Sequence, residues 1–234
     1  MKWLTNLTPE QEYFLNPDAL SQTQLWILGL MGQICEMNEL RHDVFHNLGT
    51  SDQSRQNIAH MMKRDWGIES REDCLSMLEW LRTEGHNAGY MPQQKHFEGL
   101  SEAAIDAYIE AHDHDTDEQI RLKLVKAYRH TLQVGGIGAW DFARFITVSR
   151  WTTSLGLLSE EEAWEKMLDI AQRAQKSFDS WYSYGLSYIA GRQYWRKTLS
   201  EDFAKESTEV IKGLTGSPHS PWNSLPWDLD LSAS

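Results

Sequence analysis

The chain has 234 residues, with 22 Lys and Arg against 34 Asp and Glu, so its formal net charge is −12. A chain of this length can bury a core of its own and needs no disulfide or metal to hold it together. The negative charge argues against nucleic-acid binding, which needs a basic face to neutralise phosphates, and against docking on anionic lipid. We therefore expect no nucleic-acid partner and no membrane partner.

Residues 1–6 lack the apolar core of a secretory signal, and the longest apolar run, around residues 25–34, is interrupted by glycines and a glutamine. That run is far below the ~20 residues that span a bilayer. Cys35 and Cys74 lie in apolar helical patterns and form no CxxC pair. Such cysteines are typical of buried free thiols in a reducing compartment, so we expect a cytoplasmic protein.

Helix signals recur along the chain, whereas hairpin turns and strand-like alternation are nearly absent. In the first half, apolar spacing and capping residues predict helices over 17–47, 53–65, 70–85 and 100–111.

In the second half, Thr116 with Gln119 matches a capping box and predicts a helix to about residue 134. Residues 135–138 are a glycine-rich turn. The remaining predicted helices cover 139–155, 159–178, 180–195 and 201–213. We predict an all-α fold, a compact single-domain array of about eight to ten helices over residues 1–216. A break near 95–100 could subdivide this domain.

The composition changes at Ser217, where a tail over 217–234 holds three of the six prolines together with Trp222 and Trp227. One interpretation is that the tryptophans lay the tail over the helical body. The other is that the tail is a short linear motif offered to a partner, as extended proline-containing segments can be.

Eight acidic residues and no lysine or arginine lie between Glu98 and Glu118, and a basic stretch from Arg121 to Arg129 follows. The acidic run is either a solvated helix face or a docking surface for a basic partner.

Metal and cofactor motifs are incomplete. Glu39, His42 and His46 would share one helix face, which is half of a carboxylate-bridged metal site, but no second Glu-x-x-His follows. The glycine run at 135–138 lacks the lysine of a phosphate-binding loop and a preceding strand. We therefore predict neither a metal nor a cofactor.

Eleven tryptophans stand out, and most fall at helix-packing positions, where each buried indole N–H needs an acceptor. The helix over 139–155 places Trp140, Arg144 and Trp151 in one stripe, with Asp141 three residues before Arg144. One interpretation is an internal Asp141–Arg144 ion pair that fixes the packing of the helices. The other is a pocket where arginine binds an anionic ligand, since its planar fork fits carboxylate or phosphate.

The candidate site residues follow from these patterns. A second aromatic stripe, over 180–195, adds Trp181 and Arg192. Asp141 and His86 are the candidates for acid or base chemistry, although His86 beside Gly85 also fits a helix-end role. The candidate ligand-binding residues are Trp140, Arg144, Arg150, Trp151, Trp181 and Arg192.

Three stretches of the chain form an ordered set of motifs. They are Trp66-Gly67-Ile68, Trp80-Leu81 and Gly85-His86; Gly138-Ala139-Trp140-Asp141 with Arg144, Arg150 and Trp151; and Ser159, Glu162-Ala163-Trp164, Ser180-Trp181, Gly191-Arg192 and Trp195. Through these motifs, over about residues 60–196, the chain resembles the bacterial family catalogued as domain of unknown function 1266. The resemblance implies a mostly helical bacterial protein with no established activity, and it points to Asp141, Arg144, Arg150 and Arg192 as a shared polar centre.

Two functions fit the sequence. The first is a non-enzymatic protein-interaction module, regulatory or immunity-like, whose acidic surface and tail contact a protein partner. The second is an enzyme or ligand-binding domain with a Trp- and Arg-lined pocket for an anionic small molecule. We favour the first because no complete catalytic set can be assembled from the sequence.

Overall fold

The computed structural model describes residues 16–132 and 134–232. These residues form twelve α-helices and no β-strand, so the predicted all-α fold is confirmed. Ten of the twelve helices have eight residues or more. The helices are α1 (Gln22–Gly29), α2 (Gly32–Met37), α3 (Asp52–Trp66), α4 (Arg71–Thr83), α5 (Asn87–Glu98), α6 (Glu102–Glu110), α7 (Thr116–Tyr128), α8 (Gly138–Ser154), α9 (Glu160–Ser177), α10 (Trp181–Arg196), α11 (Glu201–Gly216) and α12 (Pro221–Ser224).

Side-chain caps determine where most of these helices begin. Ser70 and Asp73 form a reciprocal capping box at the start of α4, as the sequence predicts. The predicted cap of α7 is one residue late, because the Asp115 carboxylate, rather than Thr116, accepts the first free backbone N–H groups.

The long helix predicted over 17–47 is wrong. Only α1 and α2 form there, and Glu39 has a φ of 53°, which interrupts a right-handed helix. Beyond Glu39 the carbonyl groups of Arg41, Val44 and Phe45 accept hydrogen bonds from the Arg150 side chain. A distant side chain therefore holds residues 38–47 in an irregular path, and local periodicity could not indicate that.

Helix α5 is not predicted from the sequence. Gly89 and Pro92 disfavour a helix locally, yet the helix forms and buries Tyr90 and Phe97 completely. Tertiary packing therefore outweighs the local preference. Helix α7 also differs, since it ends at Tyr128 rather than near residue 134.

Helix α8 is the central element, because thirteen of its seventeen residues are buried. It packs against α4, α9 and α10. At Gly191 of α10 a Cβ atom would lie 2.4 Å from the Cβ of Trp140, so only glycine allows the two helices to approach this closely.

The buried side chains form two hydrophobic clusters. The larger one takes its residues from α1–α4 and from the chain from α8 onward. The smaller one comes from α5, α6 and α7, with Ala190 and Tyr194 of α10. The smaller cluster begins at Tyr90, before the predicted break near 95–100. The domain limits themselves stay a prediction.

The C-terminal tail packs into the larger cluster. Trp222 and Trp227 lie 5.3 Å and 4.9 Å from Trp181, measured between ring centroids, and both are largely buried. Their indole N–H groups donate to the carbonyl groups of Gly29 and Phe178, at 2.7 and 2.8 Å. The tryptophans therefore hold the tail on the helical body, which agrees with the first of the two interpretations of residues 217–234.

Cys35 and Cys74 are buried and free, as the sequence predicts. Within residues 16–132 and 134–232, none of the helices has the length and apolar character needed to cross a membrane.

Candidate functional site

Asp141 joins α8 to the start of α5. Its buried carboxylate accepts the backbone N–H groups of His86, at 2.9 and 3.0 Å, and of Asn87, at 3.0 Å. These are N–H groups that a helix start leaves unpaired, and the negative charge faces the positive end of the helix dipole. Gly85 makes this contact fit, because its φ is +57° and a Cβ there would lie 2.3 Å from the Asp141 carboxyl carbon. Gly85 and His86 therefore allow Asp141 of α8 to hold the N-terminus of α5 in place.

The Arg144 guanidinium lies among three indole rings at the molecular surface. Its central carbon is 4.7 Å from the ring centroid of Trp66, 5.2 Å from that of Trp140 and 6.0 Å from that of Trp80. These are cation–π distances. The side chain keeps 15% of its surface exposed, and burial of the rest lowers the pKa of the guanidinium.

Arg144 and Asp141 form an ion pair without a hydrogen bond. Arg144 Nη1 is 3.9 Å from Asp141 Oδ1, which is beyond hydrogen-bond distance. The Asp141 carboxylate instead accepts the backbone N–H groups of His86 and Asn87 at the α5 N-terminus.

His86 connects the two charges. Its Nδ1 lies 3.2 Å from Asp141 Oδ1 and 3.1 Å from Arg144 Nη1, and its ring packs edge-on against Trp80. A neutral imidazole can use Nδ1 as a donor to Asp141 or as an acceptor from Arg144, but not as both. The tautomer of His86 therefore decides which of the two groups it binds.

Trp195 extends the aromatic group outward. It is 45% exposed, and its ring centroid lies 5.4 Å from that of Trp140. The indole N–H of Trp140 is buried and has no hydrogen-bond acceptor among the described residues. We call Trp66, Trp80, Trp140, Arg144 and Trp195 the tryptophan–arginine surface.

Arg150 lies on the same helix in a different environment. It is fully buried, and its Nε donates to the Phe45 carbonyl at 2.9 Å. Its Nη1 lies 2.6 Å from Met31 Sδ, and its Nη2 donates to the carbonyls of Val44 and Arg41. All of these partners are backbone carbonyls or buried side chains of the same chain. Arg150 therefore holds residues 38–47 against α8.

Two other ligand candidates also contact structural partners. Trp151 donates its indole N–H to Asn47 Oδ1 at 3.1 Å, in the segment that Arg150 holds. Trp181 lies in the aromatic part of the core and donates to the Leu225 carbonyl at 2.9 Å.

Arg192 faces α11 rather than the other arginines. Its guanidinium carbon is 4.3 Å from the Phe203 ring centroid, and its Nη1 is 3.5 Å from Ser207 Oγ. The structure therefore brings together His86, Trp140, Asp141 and Arg144, and it places Arg150, Trp151, Trp181 and Arg192 elsewhere.

The ligand candidates chosen from the sequence do not include Trp66, Trp80 and Trp195. Trp66 ends α3, and Trp80 is three residues before the end of α4. Neither shares a periodic stripe with Arg144, so helix spacing gives no signal for them. All three occur in the stretches that resemble the family, and that was the available signal.

The helical spacing that suggested half of a metal site is wrong, because residues 38–47 are irregular. His46 Nδ1 instead pairs with Ser154 Oγ at 2.9 Å. His42 is buried, and burial lowers its pKa to about 4, although the neighbouring Asp43 charge acts in the opposite direction. Across the described ranges, no group of three or more His, Cys, Asp or Glu residues is placed to hold a metal ion.

The acidic run predicted as a solvated face or docking surface is partly paired within the chain. Lys126 pairs with Asp106, and Arg129 pairs with Glu102. A cleft of about 530 Å³ lies between α6 and α7 at this point, away from the tryptophan–arginine surface.

Comparison with known proteins finds two uncharacterised relatives in Escherichia coli K12. Uncharacterized protein YbeR is 28% identical over 135 residues, which cover 58% of this chain and 57% of YbeR. Uncharacterized protein YbeU is 27% identical over 158 residues, which cover 66% of this chain and 63% of YbeU. The chain thus spans less than two thirds of the length of either relative.

No solved structure matches the chain significantly. A family model matches residues 61–227, which is longer than the resemblance predicted over 60–196 and includes Trp222 and Trp227 of the tail. The matched region therefore extends into the tail. The chain belongs to the family described as "Protein of unknown function (DUF1266)".

Proposed function

We propose that this chain is a non-enzymatic protein-interaction module that binds its partner through the tryptophan–arginine surface. The observation that carries the proposal is the position of Arg144, which is stacked among three indoles and partly exposed. Tryptophan and arginine are enriched among the residues that dominate binding energy in protein interfaces. A regulatory or immunity-like role in the bacterial cytoplasm fits such a module.

The contrast with Arg150 supports this assignment. Arg150 donates to three carbonyl groups of residues 38–47 and contacts Met31. Its guanidinium therefore stabilises the fold at this position. Arg144 forms one hydrogen bond, to His86, within the described part of the chain. Arg144, with one internal hydrogen bond and 15% of its side chain exposed, is available to an outside partner.

The candidates for catalysis have structural partners. The Asp141 carboxylate receives two backbone N–H groups at the α5 N-terminus. These hydrogen bonds hold the carboxylate at the α5 N-terminus, so its oxygen atoms already serve the packing of α5 against α8. This favours the interaction module over the enzyme.

The acidic run is a less suitable docking surface than the tryptophan–arginine surface. Glu102, Asp106 and Asp117 already pair with Arg129, Lys126 and Lys197. A basic partner would have to replace these internal cations. Trp195, by contrast, exposes apolar area that a partner can bury without breaking an internal contact.

Affinity purification from bacterial cells, followed by quantitative mass spectrometry, tests the proposal with a matched pair of variants. Trp195 and Tyr182 are both exposed aromatic residues of α10. We expect Trp195→Ala to reduce the recovery of specific co-purifying proteins at least tenfold, since truncating an interface hot spot costs about 2 kcal/mol or more. Tyr182→Ala should leave recovery unchanged.

Equal recovery with both variants would refute the proposed surface. Circular dichroism of the two purified variants ensures that neither result comes from loss of the fold.

A further inference from the structure

The tryptophan–arginine surface has more hydrogen-bond donors than acceptors. A guanidinium carries five N–H donors. Arg144 uses one of them, to His86, among the described residues. The buried indole N–H of Trp140, whose ring lies against the guanidinium, also finds no acceptor there. A group with oxygen acceptors and a negative charge would complement these donors.

The nearby carboxylate of Asp141 does not accept hydrogen bonds from these unused N–H donors. It lies 3.9 Å from Arg144 Nη1 and receives the N–H groups of His86 and Asn87 instead. The positive end of α5 balances its charge. The hydrogen-bonding capacity of Arg144 is therefore largely unused.

The one hydrogen bond of Arg144 can be exchanged at little cost. If Arg144 turns its Nη1–H groups to an incoming acceptor, His86 Nδ1 still has Asp141 Oδ1 at 3.2 Å. His86 then carries its proton on Nδ1 and donates it to Asp141. No buried polar atom of His86 loses its partner when Arg144 binds something else.

We propose that the tryptophan–arginine surface binds the carboxylate of a glutamate or aspartate side chain of a protein partner. This rests on the proposed function and adds the chemistry of the partner. Guanidinium and carboxylate form two parallel charge-assisted hydrogen bonds, and the surrounding indoles limit the competing water. Trp195 supplies an apolar flank for the partner residues beside the acid.

NMR titration of the full chain labelled with ¹⁵N tests this proposal without an identified partner. The probe is N-acetyl-glutamate α-amide, which carries only the side-chain carboxylate, and its uncharged counterpart is N-acetyl-glutamine amide. We expect the glutamate probe to shift the Arg144 Nε–H and Trp140 Nε1–H resonances. The glutamine probe should shift them at least tenfold less at equal concentration.

Two arginine variants locate the effect. Arg144→Gln should abolish the shift of the Trp140 resonance. Arg192→Gln, which removes an arginine stacked on a single ring of α11, should leave it unchanged. Equal shifts with both probes, or no shift with either, would overturn the carboxylate assignment.

Titration with inorganic phosphate provides a further comparison. Shifts with phosphate but not with the glutamate probe would identify a small-anion site and overturn the assignment to an acidic side chain. The titration could show no shift while the affinity purification still finds a partner whose recovery depends on Trp195. That result would refute only the proposed binding of a carboxylate. Loss of the Trp195 dependence would refute the proposed interaction surface.

Discussion

At the residue scale, a single missing side chain makes room for the junction between α4, α5 and α8. Gly85 has a left-handed backbone, and the space where its Cβ would stand holds the Asp141 carboxylate. Gly67 at the end of α3 is also left-handed, but its Cβ would meet nothing within 4 Å. Comparing alanine substitutions at the two glycines therefore distinguishes the cost of backbone strain from the cost of displacing the Asp141 carboxylate.

We predict that Gly85→Ala lowers the free energy of unfolding by about 3 kcal/mol or more. It adds left-handed strain of about 1–2 kcal/mol to the loss of charge-assisted hydrogen bonds at the α5 N-terminus. Gly67→Ala should cost only the strain. Urea denaturation of both variants measures the difference, and equal losses would show that Asp141 contributes little to stability.

At the element scale, the C-terminal tail behaves as part of the core. Trp222 stacks on Trp181 and donates its indole N–H to the carbonyl of Gly29, which links the tail to α10 and α1. The tail therefore closes the larger hydrophobic cluster instead of extending into solvent.

We predict that Trp222→Ala lowers the free energy of unfolding by about 3–5 kcal/mol, as expected for a buried tryptophan that leaves a cavity. Trp195→Ala removes the same side chain from an exposed position and should cost about 1 kcal/mol or less. Thermal and urea denaturation of the pair checks this. A tail that only rests on the surface would make the two losses similar.

The sequence predicts those elements that local chemistry determines. The Ser70–Asp73 box begins α4 as expected, because cap and helix are neighbours in the chain. The segment over 38–47 and helix α5 depend on distant groups, namely the guanidinium of Arg150 and the carboxylate of Asp141. A sequence pattern does not show which distant side chain will supply such a group.

The candidate site follows the same rule. The stripe on α8 identifies Trp140, Asp141 and Arg144 as neighbours, and these do lie together. The candidate residues also include Arg150, because the sequence does not show whether an arginine in this apolar helix faces a folded-back segment or the surface. Trp66 and Trp80 arrive from other helices, so only the tertiary structure shows that they surround Arg144.

At the scale of the whole molecule, the two arginines of α8 lie in different surroundings. Toward its C-terminal end, Arg150 holds residues 38–47 in place through backbone carbonyls. Toward its N-terminal end, Arg144 lies in the tryptophan–arginine surface and keeps 15% of its side chain exposed. We propose that Arg150 stabilises the fold, whereas Arg144 is available for recognition by a partner.

The most direct test is the free energy of unfolding of Arg144→Gln and Arg150→Gln, measured by urea denaturation under one set of conditions. Arg150→Gln leaves buried carbonyl groups without donors and should lose about 3–5 kcal/mol. Arg144→Gln loses ring stacking and one hydrogen bond and should lose about 1–2 kcal/mol while staying fully folded. If Arg144→Gln loses as much stability as Arg150→Gln, Arg144 is a structural residue and the account is contradicted.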